Sequence, residues 1–206
     1  MPDIKLNFIN RSNDKNNSQI LVFQKNVNTN YDELSVAWLV IDNCGQGWNH
    51  PFSYPMAMQV SASDSYNNFS PQKTVYNGDK FAVVHDKSGD TLQPAGQASS
   101  PNEVDVVNSL AMGSVDVNIF KDGRLLATKT NVEPGGKAVF EFLPVLWIAA
   151  VSQIEEGEFI NSAILQDINT QLSLFGIKSA DIVMTGGGSG PTSTAFQFNL
   201  ENIVYA

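Results

Sequence analysis

The sequence predicts an all-β protein, folded as a two-sheet β-sandwich with Greek-key-like connections. Period-two alternation of apolar and polar residues runs through most of the chain. Turn residues punctuate it at roughly ten-residue spacing, the rhythm of sandwiches and barrels. One stretch alone, residues 156–175, carries a helical period.

The alternation begins at Ile4, Leu6 and Phe8, with Lys5 and Asn7 facing the other way. Ile20 and Val22 oppose Leu21 and Phe23. From Leu34 to Ile41 both faces are apolar, which predicts a central strand covered on both sides. Met58, Val60 and Ala62 alternate with Gln59, Ser61 and Ser63, and the pattern returns at Phe81 and Val83. It returns again at Val115, Val117 and Ile119, at Phe140 and Phe142, and at Phe196, Phe198 and Leu200. Asp122-Gly123 sits between two such runs and predicts a hairpin with a type I′ turn. Asn77-Gly78 and Glu133-Pro134-Gly135-Gly136 mark further turns. In the exceptional stretch, Ile160, Ile164, Ile168 and Leu172 recur every four residues behind Glu155, Glu156 and Glu158, which predicts a short helix near 159–167 followed by a strand.

A length of 206 residues suits one large β domain or two small ones. The expected organisation is a single sandwich over residues 1–206, with a weak subdivision near 111–114 and no internal repeat of fixed period. Two loops interrupt it: residues 45–55, rich in aromatics, Gly and Pro, and residues 86–103, polar throughout.

The net charge of -9 and the scatter of the Lys and Arg residues argue against nucleic acid, which needs a basic patch. Charged residues make up only 16% of the chain. A surface rich in Asn, Ser, Gln and Thr favours hydrogen bonding and self-association, so a homo-oligomer is expected. One cysteine, Cys44, rules out an internal disulfide and a Cys-based zinc site. The most apolar stretch, 139–151, is too short for a transmembrane helix, so no transmembrane segment is expected. The start of the chain lacks the pattern of a signal peptide, which makes cytoplasmic the expected location and leaves signal-less export open.

No motif specifies a reaction, and no catalytic residue is assigned. Cys44, His50 and Asp42 are near in sequence but lack an activated-thiol pattern. Gly186-Gly187-Gly188-Ser189-Gly190 lacks the Lys of a phosphate-binding loop and reads as a hairpin loop. Asp86, Ser88 and Asp90 form an oxygen-rich turn, the weak candidate for Ca2+; no other cofactor is expected. The best ligand-binding candidate is Trp48, Asn49, His50, Phe52 and Tyr54, because aromatic faces beside polar donors suit a carbohydrate or a lipid headgroup. The functional expectation is a non-catalytic binding or structural, self-assembling protein. The alternative is a toxin-like or membrane-interacting β protein. A hydrolase-type enzyme with converging acids or a metal comes third.

Overall fold

The computed structural model describes residues 3–28, 33–161, 164–165 and 170–206. The strands are β1 (Ile4–Asn10), β2 (Gln19–Phe23), β3 (Glu33–Ser35), β4 (Leu39–Ile41), β5 (Asn49–Tyr54), β6 (Met58–Asp64), β7 (Lys73–Val75), β8 (Asp79–Asp86) and β9 (Gly89–Gln97). They continue as β10 (Val104–Asn108), β11 (Val115–Lys121), β12 (Arg124–Val132), β13 (Lys137–Phe140), β14 (Val145–Val151), β15 (Gln171–Ser173), β16 (Ile177–Gly187) and β17 (Thr194–Tyr205). The fold is all-β and sandwich-like, as the alternation predicts.

The chain falls into two compact units. Unit 1 comprises Met1–Gln24, Val36–Met56 and Pro144–Ala206; unit 2 comprises Lys25–Ser35 and Ala57–Leu143. The chain therefore passes between units four times, and residues 111–114 lie inside unit 2, between β10 and β11. Unit 1 has a sheet of order β17-β16-β1-β5 and another of order β15-β14-β2-β4. Unit 2 has a sheet of order β9-β8-β10-β13 and another of order β7-β6-β11-β12-β3.

These orders are the same architecture written twice. In each unit the first sheet has a parallel central pair, β1 with β16 or β10 with β8. Antiparallel strands flank that pair on both sides. The second sheet is antiparallel throughout. Strands β14–β17 followed by β1, β2, β4 and β5 match β6–β13 in order, so unit 1 is a circular permutation of unit 2 assembled from both ends of the chain. The sequence shows no repeat of fixed period, and the equivalence of the units is one of strand order and register.

A buried asparagine marks the equivalence. At the end of β1, Asn10 N donates to Trp48 O (3.0 Å), Gly47 N donates to Asn10 O (2.7 Å) and Arg11 N donates to Met184 O (2.9 Å). At the end of β10, Asn108 N donates to Gly136 O (3.0 Å), Gly135 N to Asn108 O (2.7 Å) and Ser109 N to Val83 O (2.9 Å). The side chains repeat the pattern. Asn10 Nδ2 donates to the Cys44 carbonyl and Oδ1 accepts from Ser12 N. Asn108 Nδ2 donates to the Val132 carbonyl and Oδ1 accepts from Leu110 N. The facing turns agree as well: Asn43 and Asn131 have φ of 54° and 55°, and Gly47 and Gly135 have 82° and 79°. A carboxamide carries both a donor and an acceptor, so one side chain ties a strand end to the turn beside it.

The core follows the alternation. Phe8, Val22, Ile148 and Ile182 are buried in unit 1, and Val60, Val106, Val117 and Ile119 in unit 2. The outer face of β2 is buried too: Leu21 and Phe23 pack with Ala37, Ile154 and Ile160, with Ile164 and Leu165 against them. Two-sided burial is thus a property of β2. The run from Leu34 to Ile41 is not one central strand. It splits into β3, paired with β12 of unit 2, and β4, paired with β2 of unit 1. Its unbroken apolarity has another cause: Val36, Ala37 and Trp38, the link between these strands, are themselves buried.

Within the helix predicted near 159–167, Phe159 forms an antiparallel bridge with Val36, and Ile164 and Leu165 are helical. Residues 162–163 and 166–167 of that range lie outside the described residues. The polar stretch from 86 to 103 is largely strand: β9 pairs with β8 and exposes Gln93 to Gln97 at a sheet edge, where Pro94 is tolerated. Only Leu92 of β9 is buried, so the stretch reads as a loop.

The turn joining β11 to β12 has φ of 53° at Asp122 and 73° at Gly123, as type I′ requires of both. A Cβ at Gly123 would meet nothing within 4 Å, so the backbone conformation alone sets its cost. Gly123→Val should destabilise the protein by about 1 kcal/mol or more, read as a lower melting temperature. Asn10→Ala and Asn108→Ala should each cost on the order of 2–3 kcal/mol by leaving buried backbone groups unpaired. Urea denaturation checks this, and unequal losses with one near zero would contradict the equivalence.

Candidate functional site

The aromatic segment is not a loop beyond residue 48. Asn49–Tyr54 is the edge strand β5, with Pro51 on the edge. Strand alternation therefore separates the candidate ligand residues. Trp48 is 69% exposed, and Asn49 points outward and donates to Asn7 Oδ1 (2.9 Å). His50 and Phe52 are half-buried. Tyr54 is buried in the core, where Gln24 Nε2 donates to its hydroxyl (3.0 Å) and Trp38 meets its ring edge-on at 6.1 Å. Burial pushes the Tyr54 phenol up to about 12, against the opposing pull of the Gln24 amide. Trp38 also packs against Phe52 at 6.3 Å. Trp48 and Asn49 are left as the outward-facing pair, while Phe52 and Tyr54 pack against Trp38.

The proposed calcium turn is the β8–β9 hairpin. Asp86 Oδ1 accepts from Ser88 N and Oγ, and Oδ2 accepts from Thr91 Oγ1 and Gln93 Nε2. The Ser88 hydroxyl and N–H, with Thr91, hold the Asp86 carboxyl below the usual carboxylate range. Asp90 Oδ1 instead meets His85 Nδ1 at 2.7 Å. Among the described residues no group of three or more His, Cys, Asp or Glu is placed to hold a metal ion. His50 and His85 belong to different units.

Cys44 is half-buried, and burial raises its thiol, the opposite of activation. The nearby Asp42 carboxylate accepts from Gln19 Nε2 (2.7 Å). The glycine run has a packing role: a Cβ on Gly186 would collide with the Ala195 backbone, and one on Gly187 with Phe196 and the Asp14 backbone.

Three features were not visible in the sequence. The first is Asp105, buried in β10, whose Oδ2 accepts from Ser99 N, Ser99 Oγ and Lys137 Nζ at 2.9–3.0 Å. Lys137 Nζ also donates to Ser99 Oγ (2.8 Å). Ser99, Lys137 and Asp105 thus form a hydrogen-bonded clamp on the end of β10. The second is Lys121, buried in β11, where burial pushes its ammonium down to about 7. The third is a pocket of about 130 Å³ in unit 2, between the β6–β7 connection and the β8–β9 hairpin. Phe69, Asp64, Asn68, Asp90 and Leu92 are among its lining residues. These residues lie far apart in the chain, and their convergence depends on the sandwich.

Two units with one permuted strand order define a β-sandwich-like protein in which the same eight-stranded arrangement occurs twice. A family model, RhiA, matches residues 2–182, and the chain belongs to the RhiA family. The match ends inside β16, before β17. No curated protein and no solved structure matches the chain.

Burial alone would raise the Asp105 carboxyl; the Lys137 ammonium and the Ser99 N–H and hydroxyl outweigh it and hold it below 3.8. A depressed folded-state pKa contributes stability above the unfolded value, lost as pH falls through the folded one. Urea titrations should therefore show a contribution that is constant from pH 7 to about 5 and is lost progressively as pH falls below about 4. Lys137→Met should lose about 2 kcal/mol at pH 7, less than a fully buried pair because Lys137 is partly exposed.

Proposed function

We propose that this protein works by non-catalytic recognition and self-assembly, with β17 as the strand through which copies of the chain associate. The observation that carries this reading is the character of that edge. β17 is twelve residues long and, among the described residues, pairs on one side only, with β16. Thr194–Tyr205 contains no Lys or Arg, and its one acid, Glu201, is neutralised by Arg11 at 2.9 Å. Proteins usually blunt such edges with lysine, proline or cover. The opposite edge of the same sheet, β5, carries Pro51.

The end of β17 is also apolar. Val204 is 50% exposed and Tyr205 67%, and Phe175, in the turn that Ala206 closes by donating to Gly176 O, is 56% exposed. Two β17 strands paired antiparallel about a twofold axis would join two four-stranded sheets into one of eight, with each strand serving as its own complement. The net charge of -9 opposes this pairing, so association should strengthen with salt.

Light scattering over a dilution series at low and moderate salt tests the reading. The expected outcome is a mass above 22.4 kDa that falls on dilution and rises with salt. Gln197→Lys with Asn199→Lys, both exposed positions of β17, should return the protein to a monomer with its melting temperature unchanged. A constant 22.4 kDa in every condition would reject it.

A further inference from the structure

We infer that the unit 2 pocket is a binding site for one ring of a neutral sugar. The inference is independent of the association through β17 and rests on what distinguishes this end of unit 2 from the same end of unit 1. The registers align the two units residue by residue. Val83 pairs with Leu92 where Met184 pairs with Phe198. Ser63, opposite Asp116, corresponds to Val151, opposite Gln19. At each of these positions unit 1 has the larger or more apolar side chain, and Met184 and Phe198 are buried. Unit 2 has Val83, Leu92 and Ser63 at the matching places, and these three residues line a pocket of about 130 Å³.

The lining determines the ligand class. Phe69 is 68% exposed and offers an apolar face of the kind that packs against the C–H face of a pyranose. Asp64 and Asp90 line the same pocket, and no Lys or Arg does, so an anionic ligand is disfavoured and hydroxyl donors are favoured. Both carboxylates are held in place. Asp64 accepts from Tyr66 N, Asn68 N and Asn68 Nδ2 at 2.8–2.9 Å, and Asp90 is fixed by His85 at 2.7 Å. The Asn68 interactions hold the Asp64 carboxyl below its ordinary range, so it stays an acceptor at neutral pH. A volume of about 130 Å³ is below the ~300–1,000 Å³ of drug-sized sites, which limits the occupant to one ring.

The test uses the full chain, with saturation-transfer NMR and calorimetry against glucose, galactose, mannose, fucose and N-acetylglucosamine, and with glucuronate as the anionic comparison. At least one neutral sugar should bind in the millimolar range, and glucuronate more weakly. Phe69→Ala, at an exposed side chain, and Val83→Met, which copies unit 1, should each weaken binding about tenfold or more, with melting temperatures retained. Met112→Ala, at an exposed side chain outside the pocket lining, should leave binding unchanged. If Val83→Met fails to fold, Phe69→Ala carries the test. The inference is overturned if no neutral sugar binds at about 20 mM, if binding survives Phe69→Ala, if it is lost in Met112→Ala alone, or if glucuronate binds best.

Discussion

The parallel pairing of β1 with β16 is the contact on which unit 1 depends. Lys5 to Asn10 lie in register with Ser179 to Met184, so the first strand of the chain is a central strand beside the penultimate one. β2 and β14 make the same long-range closure in the second sheet. Every other strand of unit 1 is attached to one of these four. A parallel pair cannot be made by a hairpin and needs a crossover. In unit 2 the crossover from β8 to β10 runs through the neighbouring β9; in unit 1 the strand in the place of β9 is β17.

The equivalence of Asn10 and Asn108 explains how two frames have kept one geometry with so little shared sequence. Each strand end must hand its backbone groups to a turn on one side and a parallel neighbour on the other. One buried carboxamide fills the gaps that the ladder leaves. Replacement by an apolar residue of similar size would bury unpaired carbonyls and N–H groups, so the constraint falls on one residue type at one position. The surrounding residues need only be apolar and of suitable volume, and Phe8 beside Val106 or Leu6 beside Val104 satisfies both copies.

That asymmetry accounts for what could be read from the amino acids. The strand class was legible because alternation is a local signal: Ile4-Leu6-Phe8 and Val115-Val117-Ile119 each declare a buried face within a few residues. The Asp122-Gly123 hairpin was legible for the same reason, since positive φ at two successive positions demands those residue types. The parallel pairs, the permuted duplication and the passage between units are properties of contacts distant in sequence, and no local period records them. The aromatic segment failed as a compact cluster because residues 49–54 alternate across an edge strand, which carries Phe52 and Tyr54 toward Trp38 and leaves Asn49 facing out. The unit 2 pocket was illegible because Asp64 and Asp90 read as ordinary turn acids until β6 and β8–β9 come together.

Duplication supplies an internal reference that a single sandwich lacks. Features present in both copies, the asparagine ties and the turn glycines, are required by the frame and say little about function. Features present in one copy need a separate cause. In unit 1 the β14–β15 connection places Ile154, Ile160, Ile164 and Leu165 over Leu21 and Phe23. The corresponding outer face of unit 2 is mixed: Phe120 stands where Phe23 does, but Asn118 stands where Leu21 does, and its Oδ1 accepts from Thr128. The short β6–β7 connection of unit 2 instead bends at Asp64 and presents Phe69 at the pocket. The same connection thus covers an apolar sheet face in one copy and borders a mixed polar and aromatic pocket in the other. Burying Leu21 and Phe23 satisfies the hydrophobic demand of β2. Phe69, exposed beside two fixed carboxylates, buries no such face in unit 2, and it is the residue on which the sugar-binding inference turns.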